Sequence, residues 1–113
     1  VKLASAFAKR LARILADKKA EEVKIINVKG LSAVTEFFVF ASAGSTVHNR
    51  ALAEEVRLKG REEWKLHHME GVEGGDWILI DFVEVIVHLF ITETREFYGL
   101  EQLWGDGKEV KWT

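Results

Sequence analysis

Trp77-Ile78-Leu79-Ile80-Asp81-Phe82-Val83-Glu84-Val85-Ile86-Val87-His88-Leu89-Phe90 is the stretch on which the fold turns. It holds two apolar, β-rich runs, Trp77 to Phe82 and Val85 to Phe90, separated only by Val83 and Glu84, the pattern of a β-hairpin. With that two-residue connection, Phe82 faces Val85 and Asp81 faces Ile86. Strand side chains alternate between faces, so one face carries Ile78, Ile80, Phe82, Val85, Val87 and Leu89, all apolar. The other carries Trp77, Leu79, Asp81, Ile86, His88 and Phe90. The first face predicts a core beneath helices. The second places Asp81 and His88 diagonally among large apolar groups, which predicts an ion pair and a raised His88 pKa. It reads either as a partly solvated sheet face or as an aromatic patch of the kind that anchors interfaces. Because Trp77 lies opposite the apolar face, Trp77→Ala is expected to leave the fold intact.

Outward from the hairpin, periodicity supplies the remaining elements. Leu3, Phe7, Leu11 and Ile14 recur at helical spacing and predict a first helix ending near Lys19. Val23 to Val28 reads as a strand, and Phe37 to Ala41 as a central strand covered on both faces. Ser45 is placed to cap a helix that starts near Thr46, with Leu52 and Val56 inward and Arg50/Glu54 and Glu55/Lys59 as exposed pairs. Trp64 to Met69 reads as a weaker strand and residues 71–75 as a loop. A last helix from near Thr92 aligns Phe97, Leu100 and Trp104, with Phe97 and Trp104 expected to hold the terminal segment down. The order α-β-β-α-β-β-β-α predicts an α/β fold, a mixed β-sheet with flanking helices. A single domain is expected over residues 1–104, followed by a frayed polar tail over residues 105–113.

A chain of 113 residues suits one domain and can bury roughly two-thirds of its unfolded surface. Without cysteine there is neither a disulfide framework nor a thiolate metal site, in keeping with a reducing, cytoplasmic setting. A net charge of -2 argues against the broad basic field of phosphate binders, so direct sequence-specific nucleic-acid contact is not expected. No apolar run reaches the ~18 residues of a membrane span. Basic residues recur through Val1 to Leu15 within an amphipathic pattern, unlike a signal peptide's apolar block.

Enzyme chemistry finds little support in the residues. Ala43-Gly44-Ser45 between strand and helix suggests the phosphate-holding turn of nucleotidyltransferases, but such enzymes also need paired carboxylates for Mg²⁺. Glu54-Glu55 and Asp81 with Glu84 do not put two carboxylates on one side of one strand, and a helix cap explains Ser45 more cheaply. His67 and His68 are adjacent, so on a strand they point to opposite faces; no His-x₃-His or Cys partner exists either. No metal site and no cofactor are therefore expected. Ser45, His88 and Asp81 lack the strained elbow of a serine hydrolase, and dinucleotide and P-loop fingerprints are missing.

Glu70-Gly71, Trp77 to Asp81, Val87-His88-Leu89-Phe90, Arg95-Glu96-Phe97-Tyr98 and Leu100-Glu101-Gln102-Leu103-Trp104 together resemble the ribosomal silencing factor (Iojap-related) family. Lys18-Lys19-Ala20, Phe38-Val39, Ser45, His48, Ala51 and Ala53 fit the same pattern upstream. The resemblance implies a nucleotidyltransferase-like fold without its active site. It also implies binding to the large ribosomal subunit through large-subunit ribosomal protein fourteen, which blocks subunit joining and represses translation. Members are often homodimers when free. Departures are Asn27 and Glu36, where the family usually has Asp, and Ala43, Val47 and Asn49 for its usual Gly, Arg and Val. Val83-Glu84 replaces its Gly-Asp, and since Val resists positive φ the turn is expected to differ from type I′.

The expectation is a non-enzymatic factor acting by steric occlusion. Trp77 is its anchor, Leu79, Asp81, His88 and Phe90 are contact or contact-supporting residues, and Arg95 and Tyr98 come next. Rival readings are a ribosome-assembly factor using the same site and a nucleotidyltransferase-like enzyme using the Ser45 turn.

Overall fold

The computed structural model describes residues 3–113; the first two positions of the expected domain lie outside the described residues. The elements run α1 (Ala4–Asp17), β1 (Glu21–Asn27), β2 (Phe37–Ala43), α2 (Thr46–Gly60), β3 (His68–Glu70), β4 (Trp77–Asp81), β5 (Val85–Ile91), α3 (Thr92–Tyr98), α4 (Leu100–Leu103) and β6 (Lys108–Val110). They form a six-stranded mixed sheet in the order β3-β4-β5-β2-β1-β6. Only β2 and β5 pair in parallel, and both lie at the centre. Every residue of β2 is buried, which is what a strand covered on both faces requires and why Phe37 to Ala41 reads as an unbroken apolar run.

The hairpin register is the expected one, with Trp77 opposite Phe90, Leu79 opposite His88 and Asp81 opposite Ile86. Ile78, Ile80, Phe82, Val85, Val87 and Leu89 are all fully buried. They meet Phe7, Leu11 and Leu15 of α1 and Leu52 and Val56 of α2 in one core. Each such side chain contributes about 1.5–3 kcal/mol by leaving water, so this face carries most of the stability.

The connecting turn departs from type I′ in an unexpected way. Val83 does adopt positive φ, 73°, and Glu84 N–H donates to the Phe82 carbonyl at 3.0 Å. Those two features describe a three-residue γ-turn centred on Val83, a strained geometry for a β-branched residue. Asp81 supports it: its Oδ1 accepts from Val83 N–H at 2.7 Å.

Four expectations need correction. The strand expected over Trp64 to Met69 is only β3, because Trp64 N–H closes a turn back to the Gly60 carbonyl (3.0 Å) and its ring stacks on Phe7. Arg50 does not pair with Glu54; its guanidinium donates to the carbonyls of Val72 and Glu73, tying the loop before β4 to α2. The last helix breaks in two at Gly99, whose φ of 54° is left-handed and suits glycine. The polar tail is not frayed: residues 108–110 pair with β1, and the Trp112 indole donates to the Val23 carbonyl at 3.2 Å.

Candidate functional site

The second sheet face is a small core of its own. Ile26, Val28, Phe38, Phe40 and Phe90 are buried there, and Trp77, Ile86, Leu100 and Trp104 pack around them. The short α3 and α4 follow β5 directly and bring the C-terminal aromatics over this face. Trp104 meets Phe38 edge-on at 5.1 Å, so it does hold the terminal segment down. Phe97 does not: it is 82% exposed.

His88 sits inside this second core, only 5% exposed. Its ring stacks on Phe40 and meets Phe38 edge-on, and its Nδ1 accepts from the Trp77 indole N–H at 3.1 Å. Accepting through Nδ1 leaves the proton of the neutral ring on Nε2. Burial pulls the His88 pKa down to about 4, the opposite of the expected rise. Asp81 supplies no counter-charge because its carboxylate is used elsewhere, on the turn and, at 3.4 Å, facing His68 Nδ1. Alternation along the strands placed both groups on one face but gave no hint that α3 and α4 would dry it.

Arg95 is likewise internal, 6% exposed. It donates to Glu101 (2.7 Å), the Ser42 hydroxyl (2.8 Å) and the Glu22 carbonyl (2.8 Å), clamping α3 and α4 to β1 and β2. Its hydrogen bond, helped by its charge and that of Lys24, holds the Glu101 carboxyl below the usual range against a smaller desolvation penalty.

What reaches the surface is a run of rings carried by that buried frame. Half-buried Trp77 lies 5.0 Å from Phe90 and 4.9 Å from Tyr98, and Tyr98 lies 5.1 Å from Phe97. Tyr98 is 54% and Phe97 82% exposed, a concentration of apolar area that nothing in the fold uses. Leu79 and Trp77 also line an open groove of about 310 Å³ with Glu70 and Gly71. Gly71 has a φ of 81°, and a Cβ there would meet the Trp77 carbonyl at 2.1 Å, so glycine is needed to let the loop turn against β4.

The seven expected site residues thus divide. Trp77, Leu79, Asp81 and Tyr98 reach solvent, whereas His88, Phe90 and Arg95 stand behind them. Phe97 belongs with the exposed group; its helical alignment with Leu100 and Trp104 suggested packing, which the break at Gly99 undoes. The Ser45 hydroxyl accepts from His48 N–H at 3.1 Å, the N-cap of α2. Gly44 before it is not in the left-handed region, and a Cβ there would meet nothing within 4 Å, so no tight phosphate cradle is built there. His67 and His68 do not point apart as adjacent strand residues must. His67 precedes β3, and the two rings lie 5.0 Å apart.

Among the described residues, no helix is long and apolar enough to cross a membrane. The family model described as "Ribosomal silencing factor during starvation" matches residues 2–113. The ribosomal silencing factor of Halalkalibacterium halodurans is 38% identical over 96 residues, covering 84% of this chain and 82% of the relative. A mouse protein named mitochondrial assembly of ribosomal large subunit protein 1 is 33% identical over 83% of this chain, which spans 43% of that relative. A crystal structure of a Chromobacterium violaceum protein superimposes with a TM-score of 0.89 at 27% identity, covering 97% of this chain and 92% of the other. Matched over nearly its whole length in sequence and in fold, the chain belongs to the ribosomal silencing factor family.

Proposed function

We propose that this chain is a non-enzymatic silencing factor that docks on the large ribosomal subunit and sterically blocks subunit joining, repressing translation. Large-subunit ribosomal protein fourteen is the proposed partner, and the free factor is proposed to be a homodimer in the cytoplasm, where translation occurs. The observation that carries the reading is the aromatic run Trp77–Tyr98–Phe97, whose innermost ring, Trp77, is held from behind by His88 and Phe90. Large rings already fixed in place lose little conformational entropy on binding, which is why aromatic residues dominate interface energetics. Trp77 is the anchor, Leu79 and Tyr98 flank it, and Asp81 is a polar group at the rim. With a net charge of -2, the chain is suited to a protein surface of the ribosome rather than to its RNA backbone.

Purified subunits mixed with increasing amounts of the chain provide the test, with joined ribosomes followed by sedimentation. Joining should fall as the chain saturates the large subunit, and Trp77→Ala should weaken that binding, measured per folded molecule, by roughly 2 kcal/mol, about 30-fold. Contrary to the expectation of an unaffected fold, the same substitution removes the indole that satisfies buried His88 and should lower stability. Undiminished joining at saturation would defeat the reading. The name of the mouse relative favours one alternative, a large-subunit assembly factor acting from the same surface. Accumulation of large-subunit precursors on depletion, with unaltered joining of mature subunits, would select it.

A further inference from the structure

We infer that His67, His68 and Asp81 form a surface site for a divalent transition metal of the zinc type. One ligand atom from each of the three lies within 4.8 Å of the others. The backbone sets this up. His68 pairs directly with Asp81 across β3 and β4, so their side chains share a face, and His67 N–H donates to the Asp81 carbonyl at 2.8 Å. Leaving the strand register at His67 turns its ring onto the same side instead of the opposite one.

Three details fit a metal. His68 Nδ1 and Asp81 Oδ2 are already 3.4 Å apart, the separation of two ligands on a tetrahedral ion with bonds of about 2.1 Å. His67 has its ligand atom within 4.8 Å of the others, and an exposed side chain closes such a gap by a small rotation. On its other side, His68 Nε2 lies 2.6 Å from Glu70 Oε2. An imidazole that gives its outer N–H to a carboxylate is oriented, and made more basic, for binding a metal through its other nitrogen. Asp81 is also pre-positioned, since its Oδ1 holds Val83 N–H and so fixes the direction of Oδ2. Two imidazoles and one carboxylate suit zinc and its neighbours, while Mg²⁺ and Ca²⁺ prefer all-oxygen sets. Three protein ligands leave a fourth position for water or for a side chain of a bound partner. Glu70 and Leu79, paired across the same two strands, place the site beside the groove at Trp77.

The test is Zn²⁺ binding to the untagged full chain, read by calorimetry and by histidine NMR at neutral pH. One ion per chain should bind, perturbing the His67 and His68 resonances and not those of His88. His67→Gln and His68→Gln should each weaken binding at least tenfold, and Glu70→Ala about tenfold through loss of the outer hydrogen bond. His48→Gln, on α2, should leave it unchanged. Mg²⁺ at a large excess should not compete. Far-UV circular dichroism of each variant establishes that it is folded; His67, His68 and Glu70 are exposed and His48 is partly so, and folding should persist. Absence of stoichiometric Zn²⁺ binding, or binding that survives both histidine substitutions, would overturn the site. Docking to the ribosome is tested separately, by subunit joining, so failure of the metal site and failure of the proposed function are distinguishable.

Discussion

The two faces of the hairpin are built from the same two strands yet play different parts. Beneath α1 and α2, the hairpin presents six apolar side chains and no titratable group. Beneath α3 and α4, the alternate residues of those strands bury an imidazole, and the short helices above them are clamped by a buried guanidinium. Burying polar groups costs free energy unless each finds a partner. His88 finds the Trp77 indole, and Arg95 finds Glu101, Ser42 and Glu22. The first face stabilises the fold by dryness, and the second accepts a polar, less forgiving interior while holding Trp77, Tyr98 and Phe97 at the surface.

The largest contrast should come from truncating the dry face. Phe82 is fully buried and meets Phe7 edge-on at 5.0 Å, so Phe82→Ala should cost about 3–5 kcal/mol in urea unfolding. Its folded fraction should bind large subunits normally. Loss of affinity per folded molecule would mean that the two faces are not separable.

On the second face, Arg95→Ala leaves the Glu101 carboxylate without its main partner and should cost about 3 kcal/mol. The variant also sharpens the electrostatics. Glu101 has a depressed pKa in the fold, so its contribution is present above its unfolded-state pKa and lost as pH falls through the folded value. Arg95→Ala should therefore show a flatter acid limb than the parent; an identical acid limb would remove Arg95 as the cause.

His88 gives a smaller effect with its own pH window. Its folded-state pKa of about 4 lies below the unfolded value, so the fold binds fewer protons and loses stability as pH falls below the unfolded pKa of about 6.5. Between pH 7 and pH 5 the loss should be about 2 kcal/mol, and His88→Phe should remove it. A histidine resonance that titrates near or above its ordinary value and disappears in His88→Phe would falsify the buried, neutral state.

How far the sequence carries can be read from these same residues. Alternation in Trp77 to Phe90 delivers the hairpin, its register and the dry face, because a one-residue slip would expose every apolar side chain. Helical spacing in Leu3 to Ile14 gives α1 equally directly. The sheet's far edge was missed because Lys108-Glu109-Val110 has almost no apolar content and joins β1 through backbone hydrogen bonds. At the site, the face shared by Trp77, Leu79, Asp81, His88 and Phe90 was visible, but its depth was not. Whether His88 pairs with Asp81 or is buried under Trp77 depends on where α3 and α4 fold back, and that is decided by Gly99 and by the Arg95 clamp. Arg95 read as a further contact residue, with no sign of the internal clamp, because its partners lie 6, 53 and 73 residues away.

The central claim is that the aromatic surface carried by the second face docks on the large ribosomal subunit, and the double variant Phe97→Ala/Tyr98→Ala tests it most directly. Both side chains are mostly exposed, so unfolding stability should change by only about 0.5 kcal/mol. Equilibrium binding of the variant to purified large subunits should nevertheless weaken about tenfold or more, the loss of about 1.4 kcal/mol expected from two contacting rings. Parental affinity in a fully folded double variant would contradict the account.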